Sequence, residues 1–262
     1  LSVEQILDVY AQMNALRDVD TRLKLFIGVS AIIICVASQS PAAPLFIAVS
    51  MAAITVVLAK IPVRLYASLI AIPISFALFS GIVILLMSGG GDPIITFSLL
   101  GFSISVTTSS ANLTLLVVTR TFGGMCSLYF IALTTPVTEI FSVMHILRLP
   151  RGFIDLSMLI YHFIFVLIGE TISIHTAQVL RHGYSSFKNA LHSFAMLGAM
   201  VFIRAWQQGE DLVIAMDARC YDGKLELAEE SHSPGTIAMG STLVYLFGCV
   251  WLAWITATMK IF

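Results

Sequence analysis

Four stretches of this chain carry no Asp, Glu, Lys or Arg: Leu25 to Ala59, Leu65 to Gly91, Pro93 to Thr119 and Ser231 to Met259. Each is longer than the roughly 20 residues that carry an α-helix across the hydrocarbon core of a bilayer. Composition agrees with that reading, because 58% of the 262 residues are hydrophobic and only 11% are charged, against about 25% charged in a soluble domain. An ordinary cytoplasmic protein is excluded. The pattern predicts an all-α polytopic membrane protein with about five transmembrane helices. A formal net charge of -1 gives no global basic field for nucleic acid. The cysteines Cys35, Cys126, Cys220 and Cys249 show no C-x-x-C spacing, and three lie in apolar runs, which reads as small buried hydrophobes rather than ligands or a disulfide frame. The opening LSVEQ has neither a charged leader nor an apolar core, so no cleavable signal peptide is expected.

Taken in order, residues 1–21 read as an interfacial amino-terminal helix, with Ser2 and Gln5 as a capping box and Val3, Ile6, Leu7, Tyr10 and Met13 at helical spacing. Arg17, Arg22 and Lys24 precede the first uncharged run and mark the cytoplasmic side. Residues 22–134 form a membrane domain. Pro41, Pro44 and the polar Ser38 to Ser40 split the first run into spans near 22–39 and 43–60, and a third span near 65–87 contains Pro73, a kink position. The Ser- and Thr-rich segment near 94–111 reads as re-entrant or interfacial, and the fourth span covers about 112–134. Arg120 lies about 12 Å from that span's start, so snorkelling to the interface and a functional pairing stand side by side. Residues 135–224 read as cytoplasmic-side coupling helices, and 225–262 as a loop and a last span near 236–259. The count gives five crossings, with the amino terminus inside and the carboxyl terminus outside.

Two long apolar segments dominate the third region: Phe153 to Gly183, closing on Arg181, and Ser186 to Gly223, closing on Arg219. As ordinary spans they would place Asp155, His162, Glu170, His175, Lys188 and Arg204 in lipid, a costly arrangement. They fit better lying low in the membrane or across its cytoplasmic surface. Each begins apolar, turns polar and ends in an arginine, with Gly183 as a natural helix stop and Asp222-Gly223 as a turn. A single helix-end arginine is ordinarily a cap that contributes about 0.3 to 1 kcal/mol through the macrodipole. Repetition of the whole pattern instead suggests two separated plugs for a two-fold partner. An intramembrane metalloenzyme is disfavoured because the six histidines form no H-x-x-x-H. A stand-alone secondary transporter would place ionisable residues at the midplane, where these spans are nearly charge-free.

The chain resembles the transmembrane component of energy-coupling factor transporters, and most closely the cobalt-type CbiQ family. The resemblance is carried by DVDTRLKL, by Arg120 and the later TTP at Thr134 to Pro136, by RLP at Arg148 to Pro150, by YHFIFVLIGE ending at Glu170, by AQVLRHGY around Gln178, and by AMDARCYDG. It implies a non-catalytic membrane subunit in the plasma (inner) membrane that binds no cofactor or metal itself. Its implied partners are two cytoplasmic ATPase subunits, which bind the ATP, and a substrate-binding membrane subunit. The substrate implied is cobalt or nickel, with a vitamin such as biotin or riboflavin as the alternative. Ala-Arg-Gly motifs of the family, which insert into the ATPases, correspond to Leu180-Arg181-His182 and Ala218-Arg219-Cys220. Arg120, Arg148, Glu170 and Gln178 are carried as structural or coupling positions.

Overall fold

The computed structural model describes residues 10–17, 19–87, 93–99, 102–146, 149–221 and 235–256. Its elements are α1 (Thr21–Ala37), α2 (Ala42–Ala53) continued by a π-helical turn (Ile54–Leu58), α3 (Val63–Met87), β1 (Pro93–Leu99), β2 (Phe102–Thr107), α4 (Thr108–Thr134), α5 (Val137–Ile146), α6 (Arg151–Leu180), α7 (Phe187–Ala218) and α8 (Thr236–Thr256). Two compact units result, one formed by Leu1–Ile140 with Glu230–Phe262 and the other by Phe141–Glu229.

The framework is all-α, and a helix stands at each of the five positions read as spans. Among the described residues four helices are long and apolar enough to cross a bilayer: Val63–Leu86, Thr108–Thr134, Arg151–Leu180 and Ala238–Thr256. The hairpin of α1 and α2 is shorter. Its 17-residue α1 and the apolar Ala42–Leu58 lie at the lower end of the bilayer-spanning range, roughly 17 to 25 residues. Helix α6, read as lying low in the membrane or across its cytoplasmic surface, is also of bilayer length, because its apolar block outweighs its scattered charges.

In the first unit the buried core joins Ala31 and Cys35 of α1, Ile47, Ala48 and Met51 of α2, Tyr66 and Ile70 of α3, Cys126, Phe130 and Leu133 of α4, and Cys249 of α8. Lipid tails are as apolar as leucine, so such helices associate through close packing at small residues. Gly28 shows the geometry: a Cβ there would lie 2.4 Å from Cγ1 of Ile131. Gly123 is less forgiving, since its Cβ would meet Sγ of Cys35 at 2.6 Å and the carbonyl oxygen of Pro44, a backbone atom that cannot rotate away, at 2.7 Å.

Two features refine the sequence reading. The segment near 94–111 forms an antiparallel hairpin of β1 and β2, with Thr96 opposite Ser105 and Phe97 opposite Ile104. Its last four residues belong to α4, which starts at Thr108 because Thr107 and Ser110 make a reciprocal capping box. Pro73 sits inside a continuous α3. Proline has no N–H for the carbonyl four residues back, and the Leu69 carbonyl instead accepts a hydrogen bond from the Tyr129 hydroxyl at 3.0 Å. The orphaned group is thus satisfied from α4, as a dry interior requires.

The second unit contains an antiparallel pair, α6 of 30 residues and α7 of 32. Near the turn, Nε2 of Gln178 donates to the Ser193 carbonyl at 2.9 Å. Farther along, Arg204 and Glu170 form an ion pair at 3.3 Å. Ser186 caps α7 by accepting from the Asn189 N–H at 3.3 Å.

Candidate docking sites at two helix ends

Helices α6 and α7 end in the same way, although their sequences there differ. After α6, Arg181 is the C-cap, His182 has φ 57°, the His182 N–H donates to the Val179 carbonyl at 3.0 Å and the Gly183 N–H to the Gln178 carbonyl at 2.9 Å. After α7, Arg219 is the C-cap, Cys220 has φ 53°, the Cys220 N–H donates to Asp217 at 3.0 Å and the Tyr221 N–H to Met216 at 3.1 Å. Each is a Schellman end, in which a left-handed residue after the cap turns two amides back onto the last carbonyls. Glycine is the usual residue there because it has no Cβ penalty. His182 and Cys220 occupy the position that the Ala-Arg-Gly pattern gives to glycine, and the backbone takes the same turn without it.

This corrects the role expected of Gly183. The left-handed residue is His182, and Gly183 serves a close approach instead: a Cβ on it would lie 2.6 Å from Oγ of Ser193. Ser193 donates to the Gly183 carbonyl at 2.8 Å. Tyr184 donates to Oε1 of Gln178 at 2.8 Å, and its ring lies 5.1 Å from that of His175. The first arginine therefore stands on a cross-braced turn, with Gln178 as the brace.

Leu180, Arg181 and His182 are exposed, as are Ala218, Arg219 and Cys220. Among the described residues neither guanidinium has an ion-pair or hydrogen-bond partner. An arginine offers five donors in a planar fork, which suits a carboxylate or a carbonyl-lined groove. The two triplets are not brought together: the 32 residues of α7 lie between the two arginines, about 48 Å of helix at 1.5 Å per residue. The Asp222-Gly223 turn lies outside the described residues.

The other sequence candidates separate by environment. Arg120 is half-buried, and both its Nε, at 2.9 Å, and a terminal nitrogen donate to the Ser38 carbonyl. Ser38 is the C-cap of α1, so the charge rests on a helix C-terminus, where the macrodipole favours a cation. It is a clasp between α4 and the α1–α2 turn. Glu170 is the partner of Arg204. Arg148 lies outside the described residues. Among the described residues no group of three or more His, Cys, Asp or Glu side chains is placed to hold a metal ion.

Sequence reasoning missed Lys24. Read only as one of three charges that mark the cytoplasmic side, it is 1% exposed, and its Nζ donates to the Thr134 carbonyl at 3.3 Å. Asn14 donates to the same oxygen at 3.2 Å, and the Thr21 hydroxyl donates to Oε2 of Glu139. DVDTRLKL and TTP, more than a hundred residues apart, thus meet. Their polarity beside apolar spans was the available signal, but the partner was not legible.

The model of the family described as CbiQ, cobalt transport protein, matches residues 12–231. A putative fused cobalt transport protein CbiMQ of Methanocorpusculum labreanum is 51% identical over 246 residues, which are 93% of this chain and 41% of that protein. The chain thus spans about two fifths of the fused relative's length. An uncharacterized protein of Methanocaldococcus jannaschii is 36% identical over 87% of this chain and 85% of its own length. The cobalt transport protein CbiQ of Rhodobacter capsulatus is 26% identical over 84% and 86%, respectively. With a family match over most of its length, an all-helical framework and helices of bilayer length, the chain is a multi-pass membrane protein that belongs to the CbiQ family of cobalt transport proteins.

Proposed function

We propose that this chain is the coupling subunit of an ATP-driven cobalt importer, docking two cytoplasmic ATPase subunits at Arg181 and Arg219 and passing their movement to a substrate-binding membrane subunit. The observation that carries the reading is the paired geometry: two Schellman ends, each presenting an exposed arginine without a partner among the described residues. Duplicate cationic tips separated by a long helix fit a partner that is itself two-fold. ATP-driven closure of that partner would change the distance between its two receiving grooves. Rigid helices anchored in the grooves must then change their angle. Catalysis in this reading belongs to the ATPases, and the chain supplies geometry. Cobalt as the substrate is supported by the family and by the names of the relatives from Methanocorpusculum labreanum and Rhodobacter capsulatus.

Charge reversal tests the docking. Arg181→Glu and Arg219→Glu each weaken ATPase association by about 2 kcal/mol or more, about 30-fold, if the arginines are buried anchors in the complex. The double variant loses co-purification with the ATPases and loses cobalt uptake. Wild-type recovery of the ATPases by the double variant would overturn the docking reading. Separate uptake assays with cobalt and nickel identify the ion, and transport of neither overturns the metal assignment.

A further inference from the structure

The end of α4 has an unusual set of donors. Thr134 is its last residue, and Pro136 follows, so the chain ahead lacks an amide at the first position after the cap. The amides of Glu139 and Ile140 turn to the Pro136 carbonyl, at 3.1 and 3.3 Å. The Thr134 carbonyl is thereby left to side chains. It receives two, from Lys24 of α1 at 3.3 Å and from Asn14 of the amino-terminal segment at 3.2 Å. Asn14 is itself fixed, donating also to the Ala11 carbonyl at 2.5 Å and accepting from the Leu16 N–H at 2.9 Å. One turn farther on, Glu139 of α5 accepts from Thr21, the first residue of α1.

Burying an ammonium is unfavourable unless it is well coordinated. Lys24 is 1% exposed and Thr134 is 0% exposed, so water contributes little to their contact. A helix C-terminus is a suitable receiver, because its unpaired carbonyls carry the negative end of the macrodipole. The position matters as well. Immediately after this junction the chain runs through α5 and enters the second unit at Phe141, on the way to both arginine-tipped helices.

We infer that Lys24, with Asn14 and Thr21, is a positioning clasp that fixes the direction in which the chain leaves α4, so that displacement of the arginine-bearing helices reaches the membrane bundle. The inference rests on the coupling role proposed above and adds to it the residues that make the transmission stiff. Lys24 touches neither ATPase nor cobalt in this scheme. It acts through the α4–α5 junction.

The test uses the full transporter complex in proteoliposomes, with Lys24→Met, Lys24→Arg and the pair Thr21→Val with Glu139→Gln. Three quantities are measured: ATPase co-purification, ATP hydrolysed per cobalt ion imported, and amide exchange over residues 136–146 in the isolated chain. Expected for Lys24→Met are wild-type co-purification, a ratio of ATP to cobalt raised about threefold or more, and exchange over 136–146 faster by about tenfold. Lys24→Arg, which keeps the charge and donors, restores the ratio at least in part. A wild-type ratio in both Lys24→Met and the Thr21→Val, Glu139→Gln pair overturns the clasp. Should Lys24→Met fail to accumulate, the paired variant alone decides by the same criterion. Failure of the docking reading shows separately, as co-purification that survives reversal of both arginines. The exchange measurement needs no ATPase, and unchanged exchange over 136–146 overturns the clasp whatever the fate of the docking reading.

Discussion

His182 and Cys220 hold a left-handed backbone that most side chains avoid. The conformation costs an L-residue about 1 to 2 kcal/mol, and glycine removes that cost while losing about 0.5 to 1 kcal/mol in chain entropy. His182→Gly is therefore expected to stabilise the α6–α7 turn by about 0.5 kcal/mol, read as slower amide exchange at Gly183 and Tyr184. His182→Val should do the reverse, because a β-branched residue tolerates positive φ poorly. Tyr129 offers a second residue-scale test. Removing its hydroxyl leaves the Leu69 carbonyl, freed by Pro73, without its partner, so Tyr129→Phe should destabilise the protein by about 1 to 3 kcal/mol. Thermal unfolding in detergent measures it, and Pro73→Ala should reduce the effect by restoring an amide for that carbonyl. The arginines and the proline were visible in the sequence. The Ser38 carbonyl that accepts from Arg120 and the Tyr129 hydroxyl that donates to the carbonyl freed by Pro73 were not, since pairing with a distant backbone carbonyl has no signature of its own in a sequence.

Elements were legible where periodicity, capping or an uncharged run marked them. The split of the first run at Ser38 to Ser40 became the turn between α1 and α2. The start of α4 could have been read from Thr107 and Ser110, a short-range cap, whereas apolar Ser- and Thr-rich composition hid the hairpin before it. Packing between elements sits below such patterns. Gly123 and Gly124 are adjacent and look alike in sequence, yet a Cβ on Gly123 meets Cys35 and Pro44 while one on Gly124 meets nothing within 4 Å. Gly123→Ala is expected to destabilise by about 1 to 3 kcal/mol through overpacking. Gly124→Ala should be neutral or stabilising by up to about 1 kcal/mol, as helix propensity alone predicts. A paired unfolding measurement in one detergent checks both.

For the whole molecule, the cysteines give a compact assay. Cys35, Cys126 and Cys249 are buried, and Cys220 beside Arg219 is exposed. A membrane-impermeant maleimide is expected to label one thiol of the four in the native protein, and all four after unfolding. On the coupling reading, labelling occurs from the cytoplasmic face and is slowed by bound ATPase subunits. Labelling from the opposite face would contradict the orientation assigned by the positive charges flanking the first uncharged run.

By itself the sequence determined that the chain lives in a membrane, where its helices lie and that its arginines stand at two helix ends, because hydropathy, charge spacing and capping act over short distances along the chain. Only the tertiary structure decided that Lys24 is buried rather than exposed, that Arg120 clasps the Ser38 carbonyl, that Gly123 admits no side chain, and that His182 and Cys220 complete the same turn without glycine. Each depends on which backbone atom another segment brings within a few ångströms. That is settled by packing among distant elements rather than by the residues on either side.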